Sequence, residues 1–218
     1  MVGERGCPVT CDVVICAHNE ESTIGRVLEA VAGSSEVGTT IVVADACTDA
    51  TAVVATRAGA LVLQTDAHNK GSAMALGLAW VGTEHVVFID ADISGLLPGH
   101  VDALCTRGPS TGQYVGCRDG YPLAFLIFPS VSGERRVPTS IAHRARLAGS
   151  GWEAETRLNV AVAQAGLPWL HEVLVGVHNR HKVTRDPWGW ARELGHVATV
   201  MATYGPELAR YTTHPSGE

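Results

Sequence analysis

Residues 12–33 read DVVICAHNEESTIGRVLEAVAG, and three patterns follow one another within them. Residues 12–17 are a short, β-rich apolar run. A polar turn follows, His18, Asn19, Glu20 and Glu21. Then Ile24, Val27, Leu28 and Val31 recur at helical spacing, and Gly33 supplies a stop. The two glutamates stand where acidic side chains complement a helix N-terminus. A continuously apolar strand that runs through a polar turn into an amphipathic helix suits a parallel sheet covered on both faces.

The unit repeats outward along the chain. TIVVAD at 40–45 is a second strand, and ACTDATAVVATRAGA a loop and helix. LVLQTD at 61–66 is a third strand, followed by a helix in NKGSAMALGLAWVG with Gly71 near its start. HVVFIDAD at 85–92 is a fourth strand that ends in carboxylates. This rhythm predicts an α/β fold, a mainly parallel central sheet flanked by helices. Polar residues gather just after each strand: His18 to Glu20, Asp45 to Asp49, Asn69 with Lys70, and Asp90 to Asp92. Ligands of open α/β sheets bind at the carboxyl ends of strands, so the four clusters are expected to converge on one crevice.

Beyond residue 95 the pattern loosens. A helix is expected at 99–106, a strand in YVGCRDG, and a flexible, Pro- and Gly-containing acceptor side over 120–140. GWEAETRLNVAVAQAG reads as a helix, PWLHEVLVGVHNRHK as a strand running into a polar end, and DPWGWARELGHVATVMATYG as a last helix opened by Asp-Pro. The 218 residues suit a single domain, and 46% hydrophobic against 17% charged residues makes it globular. A net charge of -6 removes the basic footprint of a nucleic-acid binder. The six cysteines form no CxxC pair and no zinc-ligand spacing, which points to free thiols in a reducing compartment. The opening MVGERGCPVTCD lacks a signal-peptide apolar core, and no apolar run approaches the ~20 residues of a membrane span. A cytoplasmic location with no transmembrane segment is therefore expected; peripheral contact with a membrane stays open.

The chemistry concentrates at strand ends. In an extended segment residues i and i+2 face the same way, so Asp90 and Asp92 of the D-x-D run would present both carboxylates to the crevice. Two hard oxygen donors suit Mg2+ or Mn2+ bound with a diphosphate; the bland alternative is a solvated turn. Lys70 either meets phosphate as a point charge or is a surface lysine at a helix start. Asp45 either accepts from a base N–H or forms a turn. Glu20 either accepts from ribose hydroxyls or complements a helix dipole.

Taken in order, VVICAHNEESTIGRVLEAV, IVVADACTDATA, NKGSAMALGL and VVFIDADI resemble the signature segments of family 2 glycosyltransferases with the GT-A fold. The resemblance covers residues 12–93; Ala44 stands where the family often has an acid before Asp45. SGERR at 132–136 and GWEAE at 151–155 resemble later elements of the superfamily. VGVHNRHK resembles the His-containing strand end of polyprenyl-phosphate and glucosyl-3-phosphoglycerate-type enzymes.

What the resemblance implies is a metal-dependent hexosyltransferase using a nucleotide-diphosphate sugar, UDP- or GDP-linked. The acceptor would be a hydroxyl or phosphate on a small molecule or lipid phosphate. Ala17, Asn19 and Glu20 would lie at the base and ribose end. Asp45 would read the base and Lys70 meet phosphate. Asp90, Asp92 and His178 would form the Mg2+ or Mn2+ site, with His181 as the other candidate histidine. Glu155, with Glu153 second, would act on the acceptor, and Asp92 would share the catalytic role. Residues 12–95 would then be the nucleotide-sugar half of one domain, 96–182 the acceptor half, and 183–218 a C-terminal helix and tail, with a homodimer as an allowed assembly. Arg135, Arg136, His143, Arg144 and Arg146 would suit an anionic acceptor or a solvated basic face. Rival classes are a non-catalytic sugar-nucleotide-binding relative and a nucleotidyltransferase, although no Gly-rich, Arg/Lys-bearing loop follows the first strand. A dinucleotide oxidoreductase would need GxGxxG where His18, Asn19 and Glu20 stand.

Overall fold

A computed structural model describes residues 11–119 and 132–179, together with residue 202. Strands β1 (Cys11–Ala17), β2 (Val37–Asp45), β3 (Leu61–Thr65) and β4 (His85–Asp90) alternate with helices α1 (Ile24–Ala32), α2 (Thr51–Arg57) and α3 (Lys70–Leu78). Then come β5 (Ile93–Ser94), α4 (Pro98–Thr106), β6 (Gln113–Arg118), β7 (Arg135–Pro138) and α5 (Thr139–Arg144). A 3-10 turn (Gly151–Glu153), α6 (Ala154–Gln164), β8 (Trp169–Leu174) and β9 (His178–Asn179) complete the described elements.

The seven-stranded sheet runs β3-β2-β1-β4-β7-β6-β8, and β5 pairs with β9 apart from it. Pairing within the seven-stranded sheet is parallel except around β7, which is antiparallel to β4 and β6, and the β5–β9 pair is antiparallel. The α/β reading of the sequence is thus correct. Alternate residues of each central strand serve opposite layers. Val13, Ile15, Val87 and Ile89 pack with α1 and α4 through Ile24, Val27, Val31, Val101 and Leu104. Val14, Val86 and Phe88 pack with α3, α5 and α6 through Met74, Leu78, Ile141, Leu158 and Val162. Register then places the strand ends together: Ala17 beside Ala44, and Cys16 beside Asp90.

Two expectations need correction. The segment 120–140 is not uniformly a flexible acceptor side: residues 135–138 are β7, inside the sheet. Two successive arginines hide a strand because charge is seldom buried. Here both guanidiniums donate to backbone carbonyls, Arg135 to Ser132 and Glu155, Arg136 to Cys105 and Pro109. They are 0% and 2% exposed, so neither faces an acceptor, whereas His143, Arg144 and Arg146 are exposed. The run from Trp169 to His178 is also not one strand, because Gly176 at φ 83° turns the chain between β8 and β9. Residues 120–131, the expected last helix apart from residue 202, and His181 lie outside the described residues.

Gly71 is where α3 meets the chain ahead of α6. A Cβ there would lie 2.1 Å from Ser150 Oγ and 2.4 Å from the Leu147 carbonyl oxygen. The missing side chain at Gly71 thus lets α3 approach the turn at Leu147–Ser150 closely. Gly71→Ala is expected to cost about 1–3 kcal/mol through overpacking, read as a lowered urea midpoint with an unchanged slope. No helix among the described residues is long and apolar enough to cross a membrane.

Candidate active site

A cavity of about 390 Å³ opens at the carboxyl ends of the central strands. The end of β1 supplies Ala17 and, just beyond it, His18; β2 supplies Asp45. The loop before α3 supplies His68 and Asn69, and the first turn of α3 supplies Lys70. The end of β4 and the turn after it supply Asp90 and Asp92, and Gly151 closes the far side. The four polar clusters read from the sequence therefore do reach one crevice.

Asp45 is the hub of one end. It is 6% exposed, and its two carboxylate oxygens accept from the backbone N–H of His68 and of Asn69, each at 2.7 Å. Its carbonyl lies 2.7 Å from His18 Nδ1. His68 takes a left-handed φ of 46°, uncommon for a residue with a Cβ, and meets the His18 ring edge to face at 4.5 Å. Asp45 thus fixes both imidazoles at the cavity mouth. The His68 contribution was not foreseen, because a histidine in a polar loop gives no periodic signal. Glu20 lines the cavity and accepts from Thr23 Oγ1 at 2.7 Å. Asn19 does not line it: its Oδ1 accepts from the Thr48 N–H at 2.8 Å, which ties two loops together.

Charges alternate along the other end. Lys70 Nζ lies 2.9 Å from Asp90 Oδ1 and also pairs with Glu155 Oε1. Arg118 pairs with the second oxygen of Asp90, and its Nε and Nη2 donate to Glu134 at 2.8 and 2.9 Å. Glu155, Lys70, Asp90, Arg118 and Glu134 form one chain of ion pairs. Burial alone would depress the Lys70 ammonium, but Asp90 and Glu155 together hold it well above the ordinary lysine range. Glu155 is 5% exposed, in the first turn of α6. Cys16 also lines the cavity, and burial pushes its thiol well up, so it is a neutral wall rather than a nucleophile. Arg118 and Glu134 were not singled out as site residues. Arg118 stands alone in an apolar strand, and only the fold carries it to Asp90.

The expected ligand set for a divalent ion fits in part. The chain turns at residues 91 and 92, so the extended geometry behind the i, i+2 argument stops at Asp90, yet Asp92 still lines the cavity at 8% exposed. Each Asp90 oxygen meets a cation, Lys70 on one and Arg118 on the other, so a divalent ion at Asp90 would share those oxygens with them. His178 lies opposite Ser94 in the β5–β9 pair, two residues past Asp92. Its Nδ1 lies 3.1 Å from the Asp119 carbonyl, which assigns the proton to Nδ1 and leaves the Nε2 lone pair outward. His178 is exposed and is not among the cavity-lining residues. Among the described residues no three His, Cys, Asp or Glu side chains gather into a cation cage. An ion held mainly by substrate phosphates and water needs only one or two protein donors, and Asp92 and His178 meet that lower requirement in kind.

Residues 12–99 match glycosyl transferase family 2. The 4,4'-diaponeurosporenoate glycosyltransferase of Staphylococcus aureus (strain MRSA252) is 33% identical over 107 residues, 46% of this chain. The chain spans 28% of the length of that curated relative. Among solved structures, glucosyl-3-phosphoglycerate synthase from Mycobacterium tuberculosis in complex with Mn2+, UDP-glucose and phosphoglyceric acid superposes with a TM-score of 0.69 at 22% identity, over 90% of this chain and 80% of that one. The same enzyme with Mg2+ and UDP gives 0.72 at 23%, over 90% and 79%. At such identities the likeness establishes the fold, which is GT-A-like.

Proposed function

We propose that the chain, whose residues 12–99 match glycosyl transferase family 2, transfers a sugar from a nucleoside-diphosphate donor to a hydroxyl or phosphate acceptor. One observation carries the reading: a strand-end cavity with stacking and hydrogen-bonding groups at one end and Lys70 between two carboxylates at the other. The donor's base and ribose lie by Ala17, His18, Glu20 and His68, with Asp45 holding that wall. The diphosphate lies by Lys70. Residues 12–95 serve the donor and the later part of the domain the acceptor.

The solved relatives with UDP-glucose, UDP and a phosphorylated acid support a uridine donor first and an anionic acceptor second. Their bound Mn2+ or Mg2+ supports a divalent ion here. Asp92 and His178 would hold it, and it would supply charge neutralisation of the departing diphosphate. The rest of the chemistry belongs to the side chains. Lys70 offers its ammonium to the leaving phosphate, and its bond to Glu155 loosens as it does so. Glu155, which lies behind Lys70 and is not among the cavity-lining residues, would then accept the acceptor's proton. A phosphate acceptor would need no such base.

A hydrolysis and binding screen across UDP- and GDP-sugars, with Mn2+ or Mg2+, tests the proposal. Release of no nucleoside diphosphate and no measurable binding of any would end it. Asp45→Ala is expected to weaken binding of the nucleoside diphosphate about tenfold while changing sugar preference little, because it frees the His68 loop, against which the His18 ring packs. Calorimetry with UDP alone reads this, and an unchanged affinity would take Asp45 out of the site.

A further inference from the structure

We propose that Arg118 and Glu134 are positioning residues that aim the Asp90 carboxylate into the cavity, an assignment that rests on the transferase reading above. Asp90 ends β4 at the cavity floor, and Lys70 takes one of its oxygens. Arg118, from the end of β6, takes the other. Arg118 is 7% exposed and Glu134 is fully buried. The guanidinium meets Glu134 in a two-bonded fork, a geometry that fixes the plane of the arginine and not only its charge.

Glu134 is itself anchored. The Ser132 hydroxyl, with one proton to give, lies 2.6 Å from the Gly116 carbonyl and 3.0 Å from Glu134 Oε2, and the Gly116 N–H donates to the Glu134 carbonyl at 2.9 Å. Below the turn, the fully buried Arg135 donates to the Ser132 carbonyl and, at 3.0 Å, to the carbonyl of Glu155. One frame therefore holds both ends of the ion-pair chain. Gly133 adds a steric argument. A Cβ there would lie 2.4 Å from Asp90 Cγ, so the turn is pressed against the carboxylate it helps to aim. Cation, anchor and steric stop converge on one rotamer of Asp90.

An arginine placed to bind diphosphate directly would behave differently from one that acts through Asp90, and a double-mutant cycle separates the two. The full chain is assayed with the donor the wild type turns over best, measuring kcat and donor KM for Arg118→Gln, Asp90→Asn and the pair, with thermal melting as a folding control. The expected result is that Arg118→Gln lowers kcat about thirtyfold with donor KM within about threefold, and that adding it to Asp90→Asn costs less than about threefold more. Arg118→Lys, which keeps the charge but not the fork, is expected to recover less than half of the loss. Losses that multiply in the double variant, or a loss carried by KM alone, overturn the assignment and make Arg118 a direct phosphate contact.

Should Arg118→Gln fail to fold, Gly133→Ala tests the same claim with no charge removed. It is expected to lower kcat at least tenfold in the wild type and to weaken UDP binding no further in an Asp90→Ala background, where no carboxylate is left to displace. A kcat within twofold of wild type overturns the steric part and with it the proposal. A wild-type chain that binds no nucleoside diphosphate would instead remove the reading on which the proposal rests.

Discussion

Lys70→Ala is expected to lower kcat/KM by about two to three orders of magnitude, the size seen when a charged group stabilising a transition state is lost. The ammonium stands between Asp90 and Glu155, with its side chain only 20% exposed. Removing it deletes the cation assigned to the diphosphate and leaves two carboxylates facing one another. Breaking such a pair from one side also costs stability, here of order 2 kcal/mol once partial solvent screening is allowed for. The sign of the pH dependence follows. In the wild type the Lys70 pKa is raised, so the stability it contributes is present below its unfolded value, about 10.4, and fades only as pH climbs through the raised one. The stability deficit of Lys70→Ala is therefore expected to stay constant between about pH 7 and 10, which urea melts of the two proteins read. Lys70→Arg should keep most of the stability and less of the activity, since a planar fork replaces a point charge. A Lys70→Ala enzyme within threefold of wild type would remove Lys70 from the donor site.

The half of the chain that forms β1 to β4 was legible because each strand is apolar on both faces and each is followed by its polar cluster. Periodicity alone separates strand from helix there, and topology carries the clusters together. The acceptor side was legible only in pieces. Arg135 and Arg136 read as a surface for anions, yet they are internal struts satisfied by backbone carbonyls that no sequence pattern announces. Arg118 and Glu134 stand sixteen residues apart and meet because β6 and β7 are neighbours. Asn19 shows what a motif does not announce: its amide oxygen accepts from the Thr48 N–H, at a left-handed φ of 55° that shapes the loop.

Asp92→Ala is expected to lower turnover by about three orders of magnitude and to abolish the response to added Mn2+ or Mg2+. Asp90 is tied by two cations, Lys70 and Arg118, which would compete with any divalent ion for the same oxygens. Asp92 lies beyond the turn that ends β4, in the cavity wall, so the two carboxylates of the D-x-D run are expected to serve the ion unequally. The asymmetry has a measurable consequence. Asp90→Asn should reduce turnover yet keep the concentration of Mn2+ needed for half-maximal rate within about threefold, whereas Asp92→Asn should raise it more than tenfold. His178→Ala should behave like a weaker Asp92 variant, since its Nδ1 is already committed to the Asp119 carbonyl and Nε2 is the nitrogen left to bind. Calorimetric titration of Mn2+ into the UDP-saturated protein gives the same comparison without turnover. Wild-type rates that survive exhaustive chelation would refute the metal-dependent mechanism outright. Equal losses of Mn2+ affinity in the Asp90 and Asp92 variants would show that Lys70 and Arg118 release Asp90 when the donor arrives, and that both carboxylates then serve the ion.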